Sequence, residues 1–275
     1  MTAASSAPSA SAPIGVFDSG IGGLTVVSEI MRQLPDEDVV YFGDTARVPY
    51  GPKSPKTVQR YSREITSFLE DQGVKSVVVA CNTATAHALD TIRADFDLPI
   101  IGVIQPGSRA AVRATRTGHV GVIGTQGTIA SGAYQRAIRE ANQGVDVEAF
   151  ACPLFVPFVE EGWLEHPATA LVASEYLAPM ARAGIDTLVL GCTHYPLLKP
   201  VIARTMGPDV ALIDSAQETA AELARMLTER GLRNPEAGRA RRHRFIASDA
   251  PDQFLRVGQR FLGSAIDHVE RITLG

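Results

Sequence analysis

Two cysteines occupy closely matching surroundings. Cys81 ends the apolar run 76–80 and is followed by Asn82-Thr83, and Cys192 ends the run 187–191 and is followed by Thr193-His194. A short, β-branched, non-alternating run reads as a strand buried on both faces. Each thiol therefore falls where a strand hands over to a helix, and the partial positive charge of a helix N-terminus favours thiolate there. With a pKa near 8.5 only about 3% of a free thiol is ionised at pH 7, and a shift to about 7 ionises half. If the two corners face each other across a cleft, one thiol can act as base and the other as acid near neutral pH. A proton removed from one face of a carbon and returned to the other inverts a stereocentre without a cofactor. Approach distances of about 3–3.5 Å on each side place the sulfurs roughly 6–7 Å apart around a substrate. A disulfide needs about 2.05 Å, so the pair is expected to be unbridged. The competing reading, a buried Cys as a small hydrophobe, weakens when two thiols share matching corners. It suits Cys152, which precedes Pro153-Leu154-Phe155 and has no polar neighbours.

Other polar groups fall at equivalent places. Asp18 and Ser19 follow the run 14–17 and lead into the turn Gly20-Ile21-Gly22-Gly23, and Thr125 follows the run 120–123. Open α/β sheets bind ligands just beyond the carboxyl ends of their strands. Donors from Ser19, Asn82, Thr83 and Thr193 could there hold carboxylates and stabilise developing negative charge. The glycine turn has no following Lys-Ser/Thr and no third dinucleotide-type glycine. A turn that admits a small anion and a purely structural turn both remain open. The long loop 44–53 carries Arg47 and Tyr50, and such loops often cover ligands; binding and packing are equally open for Tyr50. No C-x-x-C or H-x-x-x-H spacing points to zinc. None of Lys53, Lys56, Lys75 and Lys199 stands in a strand-end motif, which argues against a Schiff-base lysine and pyridoxal phosphate.

The elements needed to position these groups are legible. Runs at 14–17, 39–42, 76–80, 99–103, 120–123, 145–150, 187–190 and 210–213 read as strands separated by amphipathic stretches. Ser54-Pro55 fits an N-cap with Pro at the first helical position. Ser215 with Glu218 fits a capping box. The alternation predicts an α/β fold with parallel sheets covered on both faces. Residues 14–20 resemble 120–126, and 74–83 resemble 185–194, at nearly the same separation. That weak repeat predicts two similar α/β domains.

Composition fits this reading. The 275 residues are 45% hydrophobic and 20% charged, with a formal net charge of −4, so the chain has no global attraction to nucleic acid or an anionic membrane. Three cysteines and no membrane-length apolar run suit free thiols in a reducing cytoplasm. Residues 1–13, rich in Ala, Ser and Pro, lack the pattern of a signal peptide and are expected to form a disordered tail. The basic run 239–244 reads as solvated surface, with an acidic partner as the alternative.

Taken together, the segments FDSGIGGL (17–24), GDTARVPYG (43–51), ACNTAT (80–85) and GCTHYP (191–196) resemble the glutamate racemase family of the cofactor-independent aspartate/glutamate racemase superfamily. The likeness runs from Ile14 to about Leu274. It implies two pseudo-symmetric α/β domains, 14–105 plus 214–272 and 106–213, with the active site between them. It further implies cofactor-free interconversion of L- and D-glutamate, supplying D-glutamate for peptidoglycan. Its catalytic thiols match Cys81 and Cys192. Its substrate-binding pairs match Asp18-Ser19, Tyr50-Gly51, Asn82-Thr83 and Thr193-His194. Its auxiliary acid/base groups correspond to Asp18 on one side and to His194 and Glu160 on the other. His194 itself favours glutamate, because aspartate racemases commonly carry an acidic residue after the second Cys-Thr. The resemblance also implies a homodimer, and an interaction with DNA gyrase is a role known in part of the family. A redox thiol protein and a binding protein without turnover are the rival classes.

Overall fold

The computed structural model describes residues 8–236, 238 and 240–274. Two all-parallel sheets organise the chain. The first half supplies β1 (Ile14–Asp18), α1 (Leu24–Gln33), β2 (Val39–Gly43), α2 (Pro55–Asp71), β3 (Ser76–Val79), α3 (Asn82–Asp95), β4 (Ile100–Gly102) and α4 (Ile104–Ala114). Next come β5 (His119–Gly124), α5 (Gln126–Ala130), α6 (Ala133–Ala141), β6 (Asp146–Ala151), α7 (Phe155–Glu160), α8 (Pro167–Arg182), β7 (Thr187–Gly191), α9 (Lys199–Met206) and β8 (Ala211–Asp214). The chain then returns to the first sheet through α10 (Ser215–Glu229), β9 (Arg244–Ala247), α11 (Pro251–Leu262) and β10 (Glu270–Arg271).

The first sheet has the order β10-β9-β2-β1-β3-β4 and the second β6-β5-β7-β8. The four strands β2-β1-β3-β4 of the first sheet and the four of the second thus share one order, so the repeat read from sequence extends to topology. In each, the strand order reverses beside the first strand of the unit, between β1 and β3 and between β5 and β7. Such switch points open a crevice at the carboxyl ends of the strands. Registers hold those ends level: Phe17 pairs with Val79, and Gly124 with Gly191.

Every residue of β1, β2, β3 and β7 is buried, which explains their unbroken apolar runs. One core cluster lies under α2 and α3 on the outer face of the first sheet, and another under α8 and α9 on the second. The third is continuous between the sheets, from Val16 and Val78 to Val120 and Ile138. Here α4 packs on α6 and α10, and α10 packs on α1. Each fully buried Val, Leu or Ile contributes roughly 1.5–3 kcal/mol, so this shared core binds the lobes into one body.

Four details differ from the sequence reading or sharpen it. Strands β9 and β10 were not foreseen: they are short, and β9 begins at Arg244, inside the basic run. Two arginines of that run are paired within the protein. Arg241 Nη2 meets Asp36 at 2.7 Å and Arg244 Nη2 meets Glu270 at 2.8 Å, whereas Arg239 lies outside the described residues. The cap of α10 is Asp214 rather than Ser215; its carboxylate accepts from Ala216 N at 2.9 Å and from Lys199 Nζ, while Glu218 reaches Arg113. An anionic cap suits a helix N-terminus better than a hydroxyl. Of the tail expected over 1–13, residues 1–7 lie outside the described residues. The remainder makes a turn whose Ala10 carbonyl accepts from Lys75 Nζ at 2.6 Å. The Ser54 cap forms as the sequence predicts, with its hydroxyl accepting from Thr57 N.

Candidate active site

The carboxyl ends of β1, β3, β5 and β7 converge on one small cavity of about 40 Å³. Ser19, Cys81, Asn82 and Thr83 line it from the first lobe, and Thr125, Cys192, Thr193 and His194 from the second. The loop after β2 closes it with Val48, Pro49, Tyr50 and Gly51, and Val156 of α7 completes the wall. Among the described residues no Lys or Arg lines it, so an anionic ligand would be held by N–H and O–H donors and by His194. Nor does any group of three or more His, Cys, Asp or Glu among them form a metal site.

Cys81 is the N-cap of α3, and its sulfur accepts from Ala84 N at 3.4 Å. Its thiol lies 3.6 Å from Ser19 Oγ. The helix start was expected to favour thiolate. Burial outweighs it, and with the neighbouring Asp18 charge pushes Cys81 up to about 12, so the resting group is a thiol. Cys192 is placed differently. Thr193 and His194 form a turn into a single 3₁₀ turn, Tyr195–Leu198, so no long helix starts there. Its partner is instead His194, whose Nδ1 lies 3.9 Å from Sγ. The other ring nitrogen, Nε2, lies 3.0 Å from Glu160 Oε1 at the end of α7. Burial opposes charge on His194, but the bonds to Cys192 and Glu160 prevail and raise it to about 10. All three cysteines are free, and Cys152 is fully buried in the second lobe's outer core.

Asp18 is fully buried and accepts from Gly20 N at 2.9 Å and from Thr193 Oγ1 at 3.5 Å, so it touches both lobes. Burial raises its pKa against the opposing pull of His194 and the Gly20 and Gly23 amides. The glycine turn is a device for lobe approach: a Cβ on Gly22 would collide with Thr193 and His194. Thr25 adds a bond from its hydroxyl to the Thr193 carbonyl at 3.0 Å. Across the cleft Thr83 and Thr125 hydroxyls lie 2.9 Å apart, and Thr128 joins them. Gly51 comes against Thr125.

Three contributors escaped the sequence reading. Tyr134 of α6 donates to Asn82 Oδ1 at 2.7 Å, and Asn82 Nδ2 is buried with no partner within the protein. Buried Asp44 organises the covering loop by accepting from Tyr50, from Arg47 Nε at 2.8 Å and from Ser248 Oγ at 3.0 Å. The Tyr50 hydroxyl is therefore consumed by the loop, and the residue both packs and lines the cavity. Val156 is the third. Tyr134 and Val156 carry no local signal, because what they meet is distant in the chain, and the contacts of Asp44 with Arg47 and Tyr50 form only once the loop has folded.

Two like parallel sheets whose carboxyl ends share one cavity define a two-lobed α/β fold with a pair of thiols at its cleft. The chain belongs to the Asp/Glu/Hydantoin racemase family, whose model matches residues 14–223. It is 54% identical over 261 residues to the glutamate racemase of Geobacter metallireducens, covering 95% of this chain and 96% of that one. Its fold superimposes on a glutamate racemase isoform from Bacillus anthracis with TM-score 0.91 and 41% identity, covering 96% of this chain and 97% of that one. The glutamate racemase of Francisella tularensis in complex with D-glutamate gives TM-score 0.90 and 41% identity, with 96% and 98% covered.

Proposed function

We propose that the chain interconverts L- and D-glutamate by moving a proton at Cα between two thiols, and that the D-glutamate supplies peptidoglycan synthesis. The observation that carries the reading is that Cys81 and Cys192 end equivalent strands of two like sheets and line the same cavity. Relatives of about half-identical sequence that bear the name glutamate racemase support glutamate as the substrate.

For one enantiomer, the Cys192 thiolate takes the Cα proton, and the C–H electron pair moves onto Cα and its carboxylate. The Cys81 thiol then gives its proton to the opposite face, leaving Cys192 a thiol and Cys81 a thiolate. The other enantiomer follows the same path in reverse. Asp18 stands beside Cys81. His194, held by Glu160, stands beside Cys192 to donate to its sulfur when that is anionic. Hydroxyls of Ser19, Thr83 and Thr193 and the Asn82 amide would hold the carboxylates, as preorganised donors in a low-dielectric site. A cavity of about 40 Å³ holds only a few waters, so the lobes or the covering loop must yield to admit an amino acid.

The test is the circular-dichroism signal of L-glutamate incubated with the purified protein, a thiol reductant and a chelator, without pyridoxal phosphate. Decay to zero is expected from either enantiomer. A flat trace with glutamate and decay with aspartate would reassign the substrate, and a flat trace with both would overturn the racemase reading.

A further inference from the structure

We infer that Arg260 is a positioning residue for the Cys192 side of the site, acting across the lobes through Glu160. This rests on the reading of Glu160 and His194 as helpers of Cys192. Arg260 lies in the last turn of α11, which packs on α1 and β9 in the first lobe. Its Nη1 donates to the Glu160 main-chain carbonyl at 2.8 Å, in the second lobe. Carbonyls at a helix C-terminus lack intrahelical partners and carry partial negative charge, so a guanidinium there is doubly suited. The chain beyond makes room for it: Gly162 has φ +78°, and a Cβ on it would lie 2.8 Å from Arg260 Nη1. Phe261, next along, sets its ring edge-on to His194 with centroids 6.4 Å apart.

The arrangement answers a need of the site. The Glu160 side chain is 41% exposed, whereas its partner His194 is buried. A half-exposed carboxylate on a six-residue helix loses rotamer freedom on pairing and is weakened by solvent. Fixing its backbone from a second direction limits that freedom before the bond to His194 forms. The groups around Cys81 need no such help, because Ser19, Asp18 and Ala84 all belong to the first lobe. The relay from Glu160 through His194 to Cys192 thus gains its anchor from the opposite lobe. The titratable groups facing His194 are Cys192 on its own turn, Glu160 from α7 and Asp18 from the end of β1.

The experiment compares Arg260→Met, Arg260→Lys and Glu160→Gln in the full chain. Three quantities are read: the His194 imidazole titration by nitrogen-15 NMR, kcat/KM for glutamate racemisation, and the thermal midpoint. Arg260→Met is expected to lower the His194 titration by about one unit and kcat/KM about tenfold, with the midpoint unmoved and most of both effects restored by Lys. If Glu160→Gln shifts the titration and Arg260→Met does not, Arg260 has no positioning role, and the Glu160–His194 reading stands. Loss of rate and midpoint together, with the titration in place, would make Arg260 merely structural. If Glu160→Gln alters neither titration nor rate, the Glu160–His194 reading itself fails, and the role of Arg260 with it.

Discussion

Tyr134 and Asn82 are 52 residues apart in sequence, in different lobes, and their side chains meet at 2.7 Å. The phenol donates to Oδ1, which fixes the amide's orientation and leaves Nδ2 as its one unpartnered group. The donor that the proposed function assigns to a substrate carboxylate is thereby aimed by Tyr134, which does not itself line the cavity. Tyr134→Phe should keep the fold and reduce kcat/KM about fivefold to tenfold, from the roughly 1 kcal/mol of one lost hydrogen bond. Racemisation kinetics with an unchanged circular-dichroism spectrum would establish this, and wild-type kinetics would sink it.

Cys81→Ser and Cys192→Ser each remove one member of the proposed acid–base pair. Each should lower racemisation by about a thousandfold or more, within the range general acid–base groups contribute. Enantiomers have equal free energy, so kcat/KM must fall equally in both directions. Near-normal turnover in either variant, followed from L- and D-glutamate, would rule out the two-thiol mechanism.

The resting Cys81 is a thiol because burial and Asp18 hold its pKa at about 12. Asp18→Asn removes the repelling charge and should lower that value. At pH 8, alkylation of Cys81 by iodoacetamide, followed by peptide mass spectrometry, should then run severalfold faster than in the wild type, even as racemisation falls. Slower or unchanged labelling would show that Asp18 does not control the thiol.

Asp186 provides a stability test away from the site. Burial works against its charge, but bonds from Thr115 Oγ1 at 2.6 Å, Arg116 N at 2.6 Å and Thr117 N at 2.8 Å prevail and hold its pKa below 3.8. A depressed folded-state pKa stabilises above the unfolded value, and that contribution is lost as pH falls below it. Asp186→Asn should therefore cost about 2 kcal/mol at pH 7, with the gap to wild type narrowing toward pH 3. Urea melts at the two pH values would decide it, and a gap independent of pH would mean the charge is immaterial.

Much of this was present in the order of residues. Buried parallel strands need unbroken apolar runs, so eight of the ten strands could be read directly, and a repeated run ending in Cys81 and Cys192 revealed the duplicated unit. Cap chemistry is local, and Ser54-Pro55 marked its helix correctly. Strands β9 and β10 were hidden because they are short: β9 opens on the basic run at Arg244 and holds only four residues, and β10, at the sheet edge beside it, only Glu270 and Arg271. Only the tertiary structure decided the environment of each thiol. A helix start predicts an acidic Cys81, but burial beside Asp18 depends on which side chains the fold packs there, and it outweighs the dipole. The same holds for Tyr134 on Asn82 and for Arg260 on Glu160. Local spacing carries the period of a strand or helix, whereas contacts between residues far apart in the chain exist only once two sheets have closed on each other.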